Sequence, residues 1–190
     1  MARIRTFIAV DLAAGVKDRL IALQEQLGRS GSGVKWTRPE NLHLTLLFLG
    51  EVDQLEVVSI CRAVQQRARK HAPFAVDVAG LGAFPNARRP KILWAGIADG
   101  AAELRALHAD VEEGLLELGC YRREDREYTP HLTLGRLSHE DRAADWAPVL
   151  AKYEEWPGGP SAVDEVLVMS SEMRRDGPEY AVMGRAPLGG

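Results

Sequence analysis

The spacing of apolar residues along the chain predicts three long helices and one short helix. In the long segments apolar side chains recur three or four positions apart, which is the spacing of one helix face; these segments are 14–28, 53–71 and 104–118. Gly28 and Gly119 end the first and the third, because glycine tolerates the left-handed conformation that closes many helices. The short helix is predicted at 140–153.

Other segments alternate apolar with polar residues, or are rich in β-branched and aromatic side chains, and these predict strands. The predicted strands are residues 5–12, 42–49, 74–78, 92–96, 130–136, 163–169 and 180–183, with a short extended segment at 34–37 and a turn at 38–41. Antiparallel neighbouring strands with packed helices indicate an α+β fold. The length of 190 residues suits one domain, or two small lobes that share a core.

The tetrapeptide His-Leu-Thr-Leu occurs twice, at residues 43–46 and 131–134, each time in a predicted strand. The copies start 88 residues apart, which is far longer than a short structural repeat. One His-x-Thr in a strand arises often by chance, whereas two copies in matching halves of the chain are much harder to dismiss. We therefore expect two similar lobes that face each other across a cleft.

Each copy of the motif is expected to present one imidazole and one hydroxyl on the same face of its strand. Residues i and i+2 of a strand point to the same side, so His43 projects with Thr45 and His131 with Thr133. The intervening leucines then point into the apolar layer. Groups mounted on strands hold their geometry better than groups on loops, which suits catalysis.

Two imidazoles and two hydroxyls are suited to acid–base chemistry at phosphorus. The ordinary pKa of imidazole is near 6.5, so near neutrality one ring can take a proton from an attacking hydroxyl while the other gives one to the leaving oxygen. The threonine hydroxyls can donate hydrogen bonds to the phosphate oxygens. The residues alone do not say which histidine is the acid.

Composition and charge exclude several other classes of protein. A hydrophobic fraction of 46% is ordinary for a globular domain, no apolar run approaches the roughly 20 residues of a membrane span, and Asp11 interrupts the apolar stretch that a signal peptide would need. Cys61 and Cys120 fit neither a disulfide framework nor a zinc motif. These features predict a soluble cytoplasmic protein.

The net charge of −3 argues against broad coating of nucleic acid but leaves room for a local basic site. Two clusters qualify as candidates: one contains Arg88, Arg89 and Lys91, and the other contains Arg122, Arg123 and Arg126. Each such cluster is more often a solvated surface than a site.

The paired motifs and their surroundings resemble the 2H phosphoesterase superfamily, specifically the bacterial RNA 2′,3′-cyclic phosphodiesterases historically called 2′-5′ RNA ligases. The resemblance covers nearly the whole chain. It rests on the segments Arg5-Thr-Phe-Ile-Ala-Val, Glu40-Asn-Leu-His-Leu-Thr-Leu-Leu-Phe-Leu-Gly-Glu-Val52, Phe84-Pro, Leu93-Trp, Thr129-Pro-His-Leu-Thr-Leu-Gly-Arg136 and 166–170.

The resemblance implies a bilobal fold, in which residues 1–190 form one domain of two intertwined antiparallel β-sheet lobes with helices outside. It implies hydrolysis of an RNA terminal 2′,3′-cyclic phosphate to a 2′-phosphomonoester without metal or other cofactor. Carried onto this chain, His43 is the proton donor to the departing O3′ and His131 the acceptor that activates water. Thr45 and Thr133 grip the phosphate.

The resemblance also implies the partners. They are RNA ends that bear a 2′,3′-cyclic phosphate, including tRNA fragments, and the protein is expected to be a monomer with no membrane partner. Run backwards, the same site would let an RNA 5′-hydroxyl attack the cyclic phosphate and form a 2′-5′ linkage without ATP. In water, hydrolysis should dominate.

Phe48 and Arg136 occupy the same position in the two copies, five residues after each histidine. An arginine there would pair with phosphate, and an aromatic ring would stack on a base. Strict strand alternation places both side chains on the opposite face from the histidines, although a bulge at Gly135 would return Arg136 to the site. Arg88, Arg89 and Tyr128 are further candidates for RNA contact, with ordinary packing as the other reading of Tyr128.

Three other functions stay open on the sequence alone. The first is a related activity on a small cyclic nucleotide or on ADP-ribose 1″,2″-cyclic phosphate. The second is an RNA-binding module without catalysis, which the intact histidines and threonines disfavour. The third is a metallohydrolase with His43 and His131 as ligands, which lacks the accompanying motifs of such sites.

Overall fold

The computed structural model describes residues 2–30, 33–123, 125, 127–137 and 145–189. These residues form nine strands: β1 (Arg3–Val10), β2 (Val34–Trp36), β3 (Leu44–Asp53), β4 (Phe74–Phe84), β5 (Ile92–Asp99), β6 (Leu132–Leu137), β7 (Pro157–Val163), β8 (Glu165–Arg174) and β9 (Gly177–Pro187). The α-helices are α1 (Ala14–Ser30), α2 (Val57–Ala68), α3 (Ala101–Leu118) and α4 (Ala147–Lys152). Short 3-10 helices span Pro39–Asn41 and Gln54–Glu56.

The strands make one antiparallel sheet of two halves joined at a single residue pair. The strand order is β7-β4-β5-β6-β3-β1-β8-β9, with β2 paired to β6. We call β3, β1, β8 and β9 the first half-sheet, and β7, β4, β5, β6 and β2 the second. The two halves meet where Leu44 of β3 pairs with Leu132 of β6. The α+β fold of two antiparallel sheets is therefore confirmed, with the addition that the sheets are continuous at this pair.

The two half-sheets are interleaved along the chain. The first takes its strands from both ends of the chain, and helix α1, which follows β1, packs against β7 of the second half-sheet. Helices α2 and α3 pack against each other, and α2 lies against β8 and β9. The leucines of both motifs are fully or almost fully buried in the core: Leu44, Leu46, Leu132 and Leu134.

Several predicted boundaries differ from the structure. The first predicted helix continues past Gly28 to Ser30, and the second begins as the 3-10 helix Gln54–Glu56 before α2. The strand predicted at 74–78 extends to Phe84. Of the helix predicted at 140–153, the described part is helical over Ala147–Lys152, and the segment 138–144 lies outside the described residues.

Strand β7 was not predicted, because its sequence Pro-Gly-Gly-Pro-Ser-Ala-Val lacks the residues that favour strands. It pairs with β4 at the end of the sheet order, where proline is tolerated because one edge of the strand needs no ladder donor. Gly158 fits there since a Cβ would lie 2.6 Å from the Val78 side chain. The structure also places Val163 in β7, so the strand predicted at 163–169 starts two residues later as β8.

Among the described residues, no helix is both long enough and apolar enough to cross a membrane. Cys61 and Cys120 are free thiols, partly buried. Burial raises the pKa of both thiols, which leaves them protonated and poorly reactive near neutrality.

Candidate active site

The two motif histidines are oriented in the same way by the backbone two residues before them. His43 Nδ1 lies 2.7 Å from the carbonyl oxygen of Asn41, and His131 Nδ1 lies 2.7 Å from the carbonyl oxygen of Thr129. A carbonyl only accepts hydrogen bonds, so Nδ1 of each ring donates its hydrogen. In the neutral ring Nε2 is then the free base, and in the protonated ring it carries the transferable proton.

The predicted pairing of each histidine with its threonine is seen directly in the first motif. His43 Nε2 lies 3.0 Å from Thr45 Oγ1. Both histidines stand immediately before their strands, not within them as predicted, since β3 begins at Leu44 and β6 at Leu132.

The pair that joins the half-sheets also brings the two motifs together. The structure pairs Leu44 with Leu132, and the antiparallel direction continued by one residue to either side sets His43 toward Thr133 and Thr45 toward His131. Side chains on the diagonal of such a pair lie roughly 7–8 Å apart. The two motif histidines therefore stand diagonally across the junction of the half-sheets.

Two aromatic rings surround each motif histidine. Around His43, the Phe7 ring stacks with 5.0 Å between centroids and the Tyr180 ring meets it edge-on at 5.4 Å. Around His131, the Phe84 ring lies edge-on at 5.0 Å and the Trp94 ring at 6.2 Å. These walls partly shield both imidazoles from water.

Gly82 in β4 makes room for one of these walls. A Cβ at this position would lie 2.1 Å from the Trp94 ring, so any larger residue would displace the indole. Glycine within a strand often marks such a close approach.

Burial lowers the pKa of both histidines, because an imidazolium ion loses hydration in the aromatic surroundings. Nearby charges then distinguish the two rings. The Asp11 carboxylate acts against this effect and raises the pKa of His43, although Lys17, which pairs with Asp11 at 2.6 Å, lowers it. The Arg136 guanidinium adds to the effect of burial and lowers the pKa of His131 further.

Matching bulges in the two motif strands overturn the prediction made from strict alternation. In β3 the register against β1 pairs Thr45 and then Leu47, so Leu46 is the extra residue of a bulge. In β6 the register against β5 skips Leu134, the residue after Thr133. Each bulge lies three residues after its histidine. In β6 this is one residue before Gly135, where the sequence suggested a bulge. Each bulge reverses the face to which the next residues of its strand point.

The bulges turn Phe48 and Arg136 to the same face as the histidines. Phe48 is 54% exposed, and its ring lies 6.1 Å from that of Phe7, which stacks on His43. Arg136 is exposed, and its cross-strand neighbour in β2 is the exposed Lys35. One side of the cleft thus offers an aromatic ring, and the other side offers two cations.

Tyr128 has a packing role. Its ring stacks on His108 with 4.1 Å between centroids, and its hydroxyl donates to the carbonyl of Thr45 at 3.2 Å. Burial raises the pKa of this phenol. Tyr128 therefore braces β3 from behind the site.

The other candidate residues lie outside the two motif strands. Arg88 and Arg89 are exposed in a turn that the Asn86 side chain closes by accepting both backbone N–H groups. Arg123 pairs with Glu112 at 3.0 Å, Arg122 is exposed, and His71 pairs with Asp110 at 2.7 Å. Arg126 lies outside the described residues.

The aromatic walls are the part of the site that sequence reasoning missed. Phe7, Phe84 and Trp94 fall within the segments that carried the family resemblance, but their contact with the histidines depends on cross-strand register. Tyr180 gave no signal beyond its place in a predicted strand.

Among the described residues, no group of three or more His, Cys, Asp or Glu side chains is placed to hold a metal ion. Two inward-facing His-x-Thr pairs on a pseudo-symmetric antiparallel sheet are the features that define a two-histidine phosphoesterase.

Comparison with known proteins gives the family. The sequence profile of LigT-like phosphoesterases matches the chain twice, over residues 10–94 and 96–180, one match for each motif. The RNA 2′,3′-cyclic phosphodiesterase of Methanothermobacter thermautotrophicus is 32% identical over 95% of this chain and 97% of its own. The Archaeoglobus fulgidus protein of the same name is 34% identical over 93% and 96%.

Solved structures of other proteins have the same fold as this chain. A crystal structure of a Thermus thermophilus protein matches with a TM-score of 0.81 at 31% identity, covering 98% of this chain and 99% of that one. E. coli LigT complexed with 3′-AMP shares the fold, with a TM-score of 0.79 at 24% identity and coverage of 98% and 99%. The chain belongs to the LigT-like phosphoesterase family.

Proposed function

We propose that this protein hydrolyses the terminal 2′,3′-cyclic phosphate of RNA to a 2′-phosphomonoester. The observation that carries the proposal is the doubled site, in which two half-buried imidazoles are oriented alike by backbone carbonyls on either side of the residue pair that joins the half-sheets. The names of the relatives, RNA 2′,3′-cyclic phosphodiesterases at about one-third identity, supply the substrate class.

In the proposed reaction the two histidines act on opposite sides of phosphorus. His131 Nε2 takes a proton from water as the water oxygen bonds to phosphorus. The bond from phosphorus to O3′ breaks, and O3′ receives the Nε2 proton of His43. Each proton transfer contributes roughly 10²–10⁴ in rate.

The charges around the two rings support this division of roles. A general acid must be protonated before the reaction, and Asp11 favours the protonated form of His43. A general base must be neutral, and Arg136 favours the neutral form of His131. The family resemblance assigns the same roles.

We assign the remaining cleft residues to substrate binding. Thr45 and Thr133 donate hydrogen bonds to the non-bridging phosphate oxygens, and Arg136 neutralises their charge. Phe48 is exposed beside the Phe7 ring and offers a stacking surface for the terminal base. Stacking tolerates any base, so we expect weak base preference.

We extend the proposal to ligation, in which an RNA 5′-hydroxyl replaces water as the group that gives its proton to His131. Its oxygen bonds to phosphorus, the bond from phosphorus to O3′ breaks, and a 2′-5′ linkage forms without ATP. We also propose that the protein acts as a monomer in the cytoplasm on short RNA ends, including tRNA fragments. Its free, partly buried thiols suit a reducing compartment.

The proposed mechanism uses no metal, so activity should survive a chelator. We expect an RNA oligonucleotide that ends in a 2′,3′-cyclic phosphate to be opened at the same rate with and without excess EDTA, measured by chromatography of the products. Loss of activity in EDTA, restored by added divalent metal, would instead support the metallohydrolase.

The pH dependence of kcat/KM should be a bell centred on the acidic side of 6.5, the ordinary pKa of imidazole. Activity falls as the pH drops through the pKa of the base His131, and it falls as the pH rises through the pKa of the acid His43. Burial lowers both pKa values, so both limbs move to lower pH. The phosphate anion should favour protonated His43, so the alkaline limb of kcat should lie higher than that of kcat/KM. A kcat/KM optimum above neutrality would contradict this picture.

A further inference from the structure

Asn41 connects the proposed general acid to a distant part of the chain. It is 6% exposed and ends the short 3-10 helix that precedes β3. Its side-chain Nδ2 donates to the carbonyl oxygen of Pro178 at 2.9 Å, and its own carbonyl accepts the Nδ1 hydrogen of His43 at 2.7 Å. The amide therefore anchors the peptide unit that orients the imidazole.

The same stretch of β9 touches His43 a second time. Tyr180, two residues after Pro178, meets the His43 ring edge-on. The tip of the β8–β9 hairpin is tied to the same turn by a second bond, from the Arg38 guanidinium to the carbonyl of Asp176. The acid is thus held between its own turn and the start of β9.

The equivalent position beside the proposed base is built differently. The carbonyl that orients His131 belongs to Thr129, which is exposed, whereas Asn41 is buried. A buried amide that bridges two segments costs free energy if it loses its partner, so its placement at one motif only indicates a role specific to the acid.

We propose that Asn41 is a positioning residue for the general acid: its side-chain bond to Pro178 fixes the carbonyl that holds Nδ1–H of His43, so that Nε2 carries its proton toward O3′. This inference rests on the proposed function. The bond from the Asn41 carbonyl raises the pKa of His43, and the bond from the Thr129 carbonyl does the same for His131. The difference between the two motifs is therefore the buried Asn41 side chain and its bond to Pro178.

The test compares two substrates whose leaving groups differ in their need for an acid. One is an oligonucleotide with a terminal 2′,3′-cyclic phosphate, whose alkoxide O3′ must be protonated. The other is its 3′-deoxy analogue with a 4-nitrophenyl ester on the 2′-phosphate, whose phenolate leaves unprotonated. In Asn41→Leu, which keeps the volume but not the donor, we expect kcat on the cyclic phosphate to fall about 10- to 100-fold. We expect little change in KM and a near-normal rate on the aryl ester.

The ratio of the two rates is measured on the same sample, so it does not depend on how much of a variant is folded. Asn41→Ala should show the same ratio as Asn41→Leu. Imidazole ¹⁵N chemical shifts should show His43 losing its Nδ1–H preference in both variants. Arg38→Ala, which cuts the neighbouring tie of the same hairpin, is the matched control and should keep the wild-type ratio.

Two results would overturn the inference: equal slowing of both substrates in the Asn41 variants, or the same change of ratio in Arg38→Ala. Failure of the underlying function looks different. If His43→Ala itself slows both substrates equally, the acid role of His43 is wrong. If His43→Ala spares the aryl ester and Asn41→Leu does not, the function stands and only the role of Asn41 fails.

Discussion

In the variant His131→Ala, kcat on a terminal 2′,3′-cyclic phosphate is expected to fall about 10²- to 10⁴-fold, because no other group is assigned to take the proton of the attacking water. KM should change little, since Thr45, Thr133 and Arg136 still hold the phosphate. The loss should be as large on the 2′-(4-nitrophenyl phosphate) substrate, because water must be activated for either leaving group. Steady-state kinetics on the two substrates measure this.

The matched control is His71→Ala. His71 pairs with Asp110 on the α2–α3 side of the molecule, so this substitution removes an imidazole from outside the cleft and should leave turnover unchanged. Equal activity of His131→Ala and wild type would remove His131 from the reaction.

In the variant His43→Ala, kcat on the cyclic phosphate should fall by as much as in His131→Ala, about 10²- to 10⁴-fold. Its kcat on the aryl ester should be nearly that of the wild type. The physical reason is that alkoxide O3′ is a poor leaving group until it receives a proton, whereas 4-nitrophenolate leaves without one. The pH profile offers a second readout, in which this variant loses the alkaline limb and His131→Ala the acidic limb.

Exchange of these behaviours between the two variants would be informative. If His131→Ala, and not His43→Ala, spared the aryl ester, the acid and base would be assigned the wrong way round. Asp11 and Arg136 would then not control the protonation of the rings in the way their positions indicate.

The centre of the site could be predicted from sequence because it is local. The His-x-Thr spacing puts an imidazole and a hydroxyl on one side of an extended chain whatever surrounds them, and the buried leucines between them bear this out. The two motifs are alike in sequence, so the acid and base roles of His43 and His131 came from the family resemblance. The long helices could also be predicted from the sequence, since the spacing of apolar residues indicates which helix face is buried.

The rest of the site depends on pairing between distant strands, which local pattern does not contain. Strand alternation alone sets Phe48 and Arg136 on the face away from the histidines, because the bulges at Leu46 and Leu134 exist only in the register against β1 and β5. Likewise Phe7 contacts His43 through the sheet, and Tyr180 reaches the same ring from the far end of the chain. Strand β7 was missed because pairing with β4 outweighs its low intrinsic propensity.

The identity of the product tests the central claim most directly. An RNA oligonucleotide with a terminal 2′,3′-cyclic phosphate is digested in H₂¹⁸O, and its products are separated and examined by ³¹P NMR and mass spectrometry. If His131 activates water and His43 protonates O3′, the sole product is the 2′-phosphate carrying one ¹⁸O atom. A 3′-phosphate product, or an unopened cyclic phosphate, would contradict the account.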